Sequence, residues 1–224
     1  MVANRSLTKL ISGTPGKKTR FHTRRGELAS VRELPRAARA LMDRLARRQL
    51  REPWLAPPAV RFLETVVARD YVIAELGAGA STRWFAERAA RVISLEHDPA
   101  WASRVQADLD VARLTNVELH VVPVHEFNAT LQRSLGKVEV DLLLVDQTDA
   151  GHGGRVESVA LGRTLVRPGG FLVLDDSDWP VNSPAFALLH DWSSERFVGI
   201  RPRPYQATET TVFRRPTVGA GRAL

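Results

Sequence analysis

The stretch Tyr71-Val-Ile-Ala-Glu-Leu-Gly-Ala-Gly-Ala-Ser-Thr-Arg-Trp-Phe-Ala86 constrains the fold more than any other part of the chain. Its first six residues form a β-rich apolar run, Gly77 and Gly79 interrupt it, and from Ser81 onward Trp84, Phe85 and Ala89 make the buried stripe of a helix. The local structure is therefore strand, tight glycine turn, helix. Glycine lets the chain turn sharply and leaves no side chain between backbone and ligand, while the following helix points its free N–H groups and its dipole at whatever lies above the turn. A turn of this build suits a nucleotide-like ligand.

Two acids narrow the choice of ligand. A strict dinucleotide fingerprint puts a third glycine where this chain has Thr82, which weakens a pyrophosphate reading. Glu75 ends the first strand and Glu96 ends the next, Arg91 to Glu96; the step of 21 residues between them matches one βαβ unit. That places Glu96 where a carboxylate accepts hydrogen bonds from both ribose hydroxyls. Neither acid suits a phosphate. Glu75 suits a cationic ammonium or sulfonium, which S-adenosylmethionine has and NAD lacks.

Glu75-Leu-Gly-Ala-Gly-Ala-Ser-Thr82, Leu95-Glu-His-Asp-Pro-Ala-Trp101, Val145-Asp146 and Pro168-Gly-Gly-Phe-Leu-Val-Leu-Asp-Asp176 together resemble the ordered motifs of class I S-adenosylmethionine-dependent methyltransferases, over Trp54 to Arg214. The resemblance implies an α/β fold, a Rossmann-like doubly wound sheet with an antiparallel last strand. It implies S-adenosylmethionine held by Glu75, Gly77, Gly79, Ser81, Thr82 and Glu96, with His97 beside Glu96, Pro123 near the adenine, Trp54 over the pocket and Asp146 at the methionine end. His97 and His120 read as structural or exposed rather than catalytic. A cofactor-binding or scaffold protein of the same fold is the alternative from outside the enzymes, since a fold does not dictate function.

At 224 residues with 44% hydrophobic content the chain buries one α/β core, without room for a second domain of ordinary size. It has no cysteine, which excludes a disulfide framework and a thiolate zinc site. No apolar run approaches the roughly 20 residues that span a bilayer, so no membrane partner and a soluble, cytoplasmic protein are expected. The net charge of +7 is unevenly placed. Residues 1–51 hold 14 Lys and Arg against 3 acids, a net of +11, and the rest holds 18 against 22, a net of −4. Basicity thus belongs to an N-terminal extension: an arm for phosphates, or a solvated leader, which the near absence of aromatic residues for base stacking favours.

Four segments follow: a basic, disordered leader at 1–29; an amphipathic helix at 30–52, from the capping pattern Ser30-Val-Arg-Glu33 and the stripe Leu34, Ala38, Leu41, Leu45, serving as a lid or packing on the core or on a second subunit of a homodimer; the catalytic domain at 53–215; and a flexible tail at 216–224. Within the domain a helix follows at Pro99 to Arg113, and strands at Val117 to Val122, Val138 to Asp146 and Phe171 to Asp175, the last entered through a turn at Pro168-Gly-Gly170. A last helix at Ser183 to Trp192 precedes two strands, Arg196 to Ile200 and Thr210 to Phe213, joined closely enough to pair antiparallel.

The carboxyl ends of parallel strands gather at one edge of a doubly wound sheet, so Asp146 and the pair Asp175-Asp176 converge there. These three resemble, position for position, the acidic ligands of magnesium-dependent O-methyltransferases acting on catechols and macrolide sugars, which implies Mg²⁺ on Asp146, Asp175 and Asp176. The competing reading makes Asp146 a methionine-side contact and Asp175-Asp176-Ser177 a helix cap. Where those relatives carry a Lys or His base, three residues after the strand-four acid, this chain has Asp149. His152, in the same Gly-rich loop, is the replacement base. The expected reaction is O-methylation of a small molecule; an RNA or protein methyltransferase guided by residues 1–51 is the alternative among enzymes.

Overall fold

The structure, a computed structural model, describes residues 19–30, 52–148, 154–201 and 205–217. The helix expected at 30–52 lies outside the described residues, as do Asp149 and His152 and most of the tail. Seven strands form one sheet: β1 (Val72–Leu76), β2 (Arg91–Glu96), β3 (Val117–Val121), β4 (Val140–Val145), β5 (Val166–Asp175), β6 (Ser193–Arg201) and β7 (Gln206–Arg214), in the order β3-β2-β1-β4-β5-β7-β6. The first five run parallel; β7 is antiparallel to both β5 and β6. Strand order reverses between β1 and β4, the switch point where a doubly wound sheet opens a crevice at its carboxyl edge.

Alternation along the strands feeds two cores. On one face Leu143 and Val145 of β4 pack with Phe127 and Leu131 of α4 (Phe127–Leu135), Val159 of α5 (Gly154–Leu165) and Ala185 of α6 (Ser183–Leu188). On the other, Leu142 and Leu144 meet Val60 and Leu63 of α1 (Pro57–Val66), Trp84 and Phe85 of α2 (Ala80–Ala86) and Val105 and Leu109 of α3 (Pro99–Ala112). This is why β4 reads as a continuous apolar run: both faces of a central parallel strand are covered. Among the described residues no helix is long and apolar enough to cross a membrane.

Three boundaries differ from the sequence reading. Pro168-Gly169-Gly170 is a bulge inside β5 rather than a turn before it. The pairing with β4 jumps from Val140–Val166 to Leu142–Phe171, and Gly169 takes φ 80° to allow the jump. β6 and β7 are longer than their apolar segments, because polar residues such as Thr208 and Glu209 continue the ladder. The last helix ends at Leu188, short of Trp192.

The leader reading at 1–29 stops short of the structure, because residues 19–30 pack on the β6–β7 hairpin and on the turn after β5. Ala207 N–H donates to the Arg20 carbonyl at 2.6 Å, and Arg24 N–H donates to Asp178 Oδ2 at 2.6 Å. Thr23 is fully buried, and the Arg24 guanidinium lies 3.8 Å from the centre of the Trp179 ring. Glu209, inside β7 and wholly buried, accepts from Ser177 Oγ at 2.9 Å and pairs with Arg196 at 2.5 Å and with Arg25 at 3.4 Å. Apart from Phe21 and Ala29, which join a small apolar cluster with Ile200 and Ala207, these contacts are polar and cationic and leave no hydrophobic period in the sequence.

Gly199 of β6 is where α1 meets the sheet. A Cβ there would stand 2.6 Å from Pro57 Cδ and 2.9 Å from Pro58 Cδ, both in rigid rings. Gly199→Ala is expected to destabilise the fold by about 1–3 kcal/mol through overpacking, read from the midpoint of urea denaturation. An unchanged midpoint would contradict this packing of α1.

Candidate active site

The glycine turn joins the tips of β1 and β4. Gly77 has φ 101°, and a Cβ on it would lie 2.7 Å from the Asp146 carbonyl oxygen, so only glycine fits there. Two backbone bonds lock the approach: Gly77 N–H to the Leu95 carbonyl at 2.8 Å and Asp146 N–H to the Leu76 carbonyl at 2.9 Å. Gly79 has an ordinary extended backbone; its part is to leave open space in front of α2.

Glu75 and Thr82 turn away from the ligand side. Glu75 is fully buried, and its Oε2 accepts from Thr82 Oγ1 at 2.5 Å and from Ser94 Oγ at 2.7 Å. Thr82 Oγ1 in turn accepts the Gly79 N–H at 2.9 Å, so the pair braces the turn from beneath. No hydrogen bond of good geometry reaches Glu75 Oε1. Burial pushes the carboxyl up to about 7, against the pull of the Ser81, Thr82 and Ser94 hydroxyls. The sequence reading placed Glu75 and Thr82 in contact with the cofactor; the structure makes them supports of the turn, because the strand pleat and the helix face direct both inward.

Ser81, Gly77, Gly79, Glu96 and His97 line a cavity of about 330 Å³ at the switch point. Glu96 Oε1 accepts from the backbone N–H of His97 at 2.7 Å and of Asp98 at 2.9 Å and stands 2.8 Å from His97 Nδ1, which leaves Oε2 for a ribose. His97 is thus a clamp on Glu96. Trp54 forms a wall of the cavity with Trp101, ring centres 5.6 Å apart, and Trp101 Nε1 donates to the Ala78 carbonyl at 2.7 Å. Pro123 is exposed and begins a short helical turn, outside the cavity lining.

The acids at the tips of β4 and β5 converge as expected, but arginines meet them. Arg155 of α5 spends its whole guanidinium there: Nε to the Gln147 carbonyl at 2.8 Å, Nη1 to the Asp175 carbonyl at 2.5 Å and Nη2 to Asp146 Oδ1 at 3.1 Å. Arg201, at the end of β6, donates from Nη1 to Asp175 Oδ2 at 3.5 Å and to Asp176 Oδ2 at 3.2 Å. Thr210 and Thr208 donate to Asp175 and Asp176 at 2.6 and 3.0 Å. Asp175 has no exposed surface; burial, then the charges of Asp146 and Asp176, push its carboxyl well above the usual range. Burial also raises Asp146, against the opposing charge of Arg155. Burial acts upward on Asp176 too, but Arg201 and Arg155 outweigh it and hold that carboxyl low.

This donor set does not fit a divalent cation. A hard ion needs carboxylate oxygens turned to one point, and here guanidinium groups hold those oxygens. Among the described residues no group of three or more candidate ligands is placed to hold a metal. The helix-cap reading fails as well, because the Asp175 and Asp176 side chains go to threonines and Arg201, and α6 has no side-chain cap. Asp176 takes a left-handed φ of 49°, unusual for a residue with a side chain, and Arg201 and Thr208 hold its carboxylate. The metal reading of Asp146, Asp175 and Asp176 is replaced by an acid–arginine network.

Arg155, Arg201, Asp98 and Trp101 are cavity residues that sequence reasoning missed. Asp98 and Trp101 stand in the quoted Leu95–Trp101 motif. Arg155 and Arg201 carry no local signal, since only strand pairing brings them to the acids.

Residues 74–177 match the family described as a methyltransferase domain. The matched stretch runs from within β1 to just past β5 and so contains the strand tips that build the cavity. No curated protein matches the chain. Solved structures share the fold. The O-methyltransferase TomG from Streptomyces achromogenes, in complex with the cofactor, is 22% identical with TM-score 0.55, over 83% of this chain and 91% of its own. The N-methyltransferase NodS from Bradyrhizobium japonicum WM9 is 17% identical with TM-score 0.52, over 82% and 96%. An rRNA methylase from Streptococcus thermophilus is 10% identical with TM-score 0.53, over 69% and 93%. The cavity has the features that S-adenosylmethionine needs: a turn without side chains, a carboxylate oxygen on Glu96 without a protein donor and an aromatic wall.

Two measurements follow from these contacts. Glu75 holds its proton to about pH 7 in the folded cofactor-free protein and to about 4.5 when unfolded, so stability falls as pH rises from 4.5 through 7. Glu75→Gln is expected to remove that decline and to stabilise the cofactor-free protein by about 1–3 kcal/mol at alkaline pH, with little effect at the acid end; thermal melts across the range test this. Glu96→Ala is expected to weaken S-adenosylhomocysteine binding by about 1.5–3 kcal/mol in calorimetry, the loss of hydrogen bonds to a charged acceptor. Unchanged affinity would remove Glu96 from the ribose.

Proposed function

We propose that the methyltransferase acts on a hydroxyl of a small molecule, without a metal, with Asp146 as the group that takes the hydroxyl proton. S-adenosylmethionine supplies, when bound, a methyl group on a cationic sulfur. Gly77, Gly79 and Ser81 would hold its methionine part at the turn and Glu96 its ribose; Trp54 and Trp101 would exclude water from one side.

The observation that carries the reading is the state of Asp146. It stands at the β4 tip on the cavity, its side chain 28% exposed, with Oδ1 held by Arg155. An acid raised by its surroundings and fixed by one oxygen is a suitable base for a hydroxyl, because its pKa moves toward working pH and its geometry is set beforehand. Charge argues against a nucleic acid. Glu96, Asp98, Asp146 and Asp176 outnumber Arg155 and Arg201 around the cavity, the wrong sign for a phosphate chain to enter. Asp149 and His152 keep their place as loop candidates for the same proton.

The test is turnover with a panel of hydroxylated small molecules, the methylated product read by mass spectrometry. Transfer is expected to persist in EDTA, and Asp146→Asn to lower kcat by about 10²–10⁴ while S-adenosylhomocysteine still binds. Activity lost in EDTA and restored by Mg²⁺, or a methyl found on nitrogen, would overturn the reading.

A further inference from the structure

Arg201 carries donors that the protein leaves unused. It lines the cavity with its side chain 13% exposed, and only Nη1 has partners, the Oδ2 atoms of Asp175 and Asp176. Nε is buried without an acceptor, and Nη2 donates to no described residue. Arg155, by contrast, satisfies Nε, Nη1 and Nη2 within the protein. The two arginines of the network therefore differ in kind: one has every nitrogen satisfied by the protein, the other keeps an edge without a described acceptor. Nε and Nη2 together form the side-on edge of a guanidinium, whose two parallel N–H groups match the two oxygens of a carboxylate. A buried N–H without an acceptor is costly, and a ligand oxygen that settles on Nη2 brings its partner oxygen toward Nε.

The charges around it leave room for an anion. Asp146 pairs with Arg155 and Asp176 with Arg201, and burial pushes the carboxyl of Asp175 well above the usual range. The acids that outnumber the arginines around the cavity, Glu96 and Asp98, belong to the β2 end, and at the β4–β5 end the sulfonium of a bound cofactor would favour a negative group beside it.

We propose that the methyl acceptor carries a carboxylate next to its reactive hydroxyl and that Arg201 selects it through the Nε–Nη2 edge. The inference rests on the hydroxyl-methylation reading of the same cavity. Arg201 would be a specificity-determining residue, with Asp175 and Asp176 keeping its Nη1 engaged so that the opposite edge is left for the acceptor.

Salicylate and its neutral isostere salicylamide are the probes, titrated by calorimetry onto wild-type protein saturated with S-adenosylhomocysteine. Salicylate is expected to bind about tenfold or more tighter than the amide, the factor of a charge-assisted pair. Arg201→Gln should bring the two to equal affinity. Arg201→Lys, which keeps the charge but not the planar edge, should reduce the preference to a few-fold, and decides the matter if Arg201→Gln does not fold. Equal binding of the probes to wild-type protein, binding of neither, or a preference unchanged in both variants overturns the inference while leaving the methyltransferase standing, because S-adenosylhomocysteine has bound in the same experiment. Failure of S-adenosylhomocysteine to bind wild-type protein overturns both.

Discussion

The contact between Gly77 and the Asp146 carbonyl holds the site together. A side chain at position 77 would collide with the tip of β4, so the two strands at the switch point close to this distance only because glycine stands there. That closeness sets the depth of the cavity floor and brings the acid of β4 to the level of the acids of β5. Thr82, Ser94 and Glu75 support the turn from below, and this explains why the third position of the glycine pattern is a hydroxyl: it serves a buried carboxyl, with no ligand to approach.

Charge is managed by pairing at every strand tip. Three carboxylates within one network would repel each other strongly in a protein interior, and a metal ion is one way to relieve that. This chain uses two arginines, a high pKa on Asp175 and a low one on Asp176. Neighbouring acids whose environments drive their pKa values apart have distinct chemical roles. Here Asp175 is a buried part of the frame, Asp176 is the counter-charge of Arg201, and Asp146 is the acid turned to the cavity.

The N-terminal residues 19–30 extend the same frame. Arg24 stacks on Trp179 and its N–H holds Asp178, and Arg25 reaches Glu209, which also holds Ser177. These residues brace the turn that follows Asp176, so part of the basic extension belongs to the support of the acceptor side. The surplus charge of residues 1–51 is accordingly put to structural use in part, Arg25 paired with Glu209 of β7 and Arg24 stacked on Trp179.

The sequence by itself determined the strand–turn–helix unit, the parallel run of strands, the antiparallel end of the sheet and the acids at the tips of β1, β2, β4 and β5. Each of these rests on short-range signals: apolar period, glycine between apolar runs, a short link between strands. It also determined Glu96 as the acid at the tip of β2 that lines the cavity, since the spacing of one βαβ unit places it. Only the tertiary structure decided which acids face the ligand and which face the protein. Glu75 is turned inward by the pleat, and Asp175 is sealed by Thr210 from a strand that follows 35 residues later. It alone brought Arg155 and Arg201 to those acids, and so set guanidinium groups where a metal was expected. Electrostatic partners are chosen by distance in space, and between separate strands that distance is set by pairing register, which no local pattern of residues encodes.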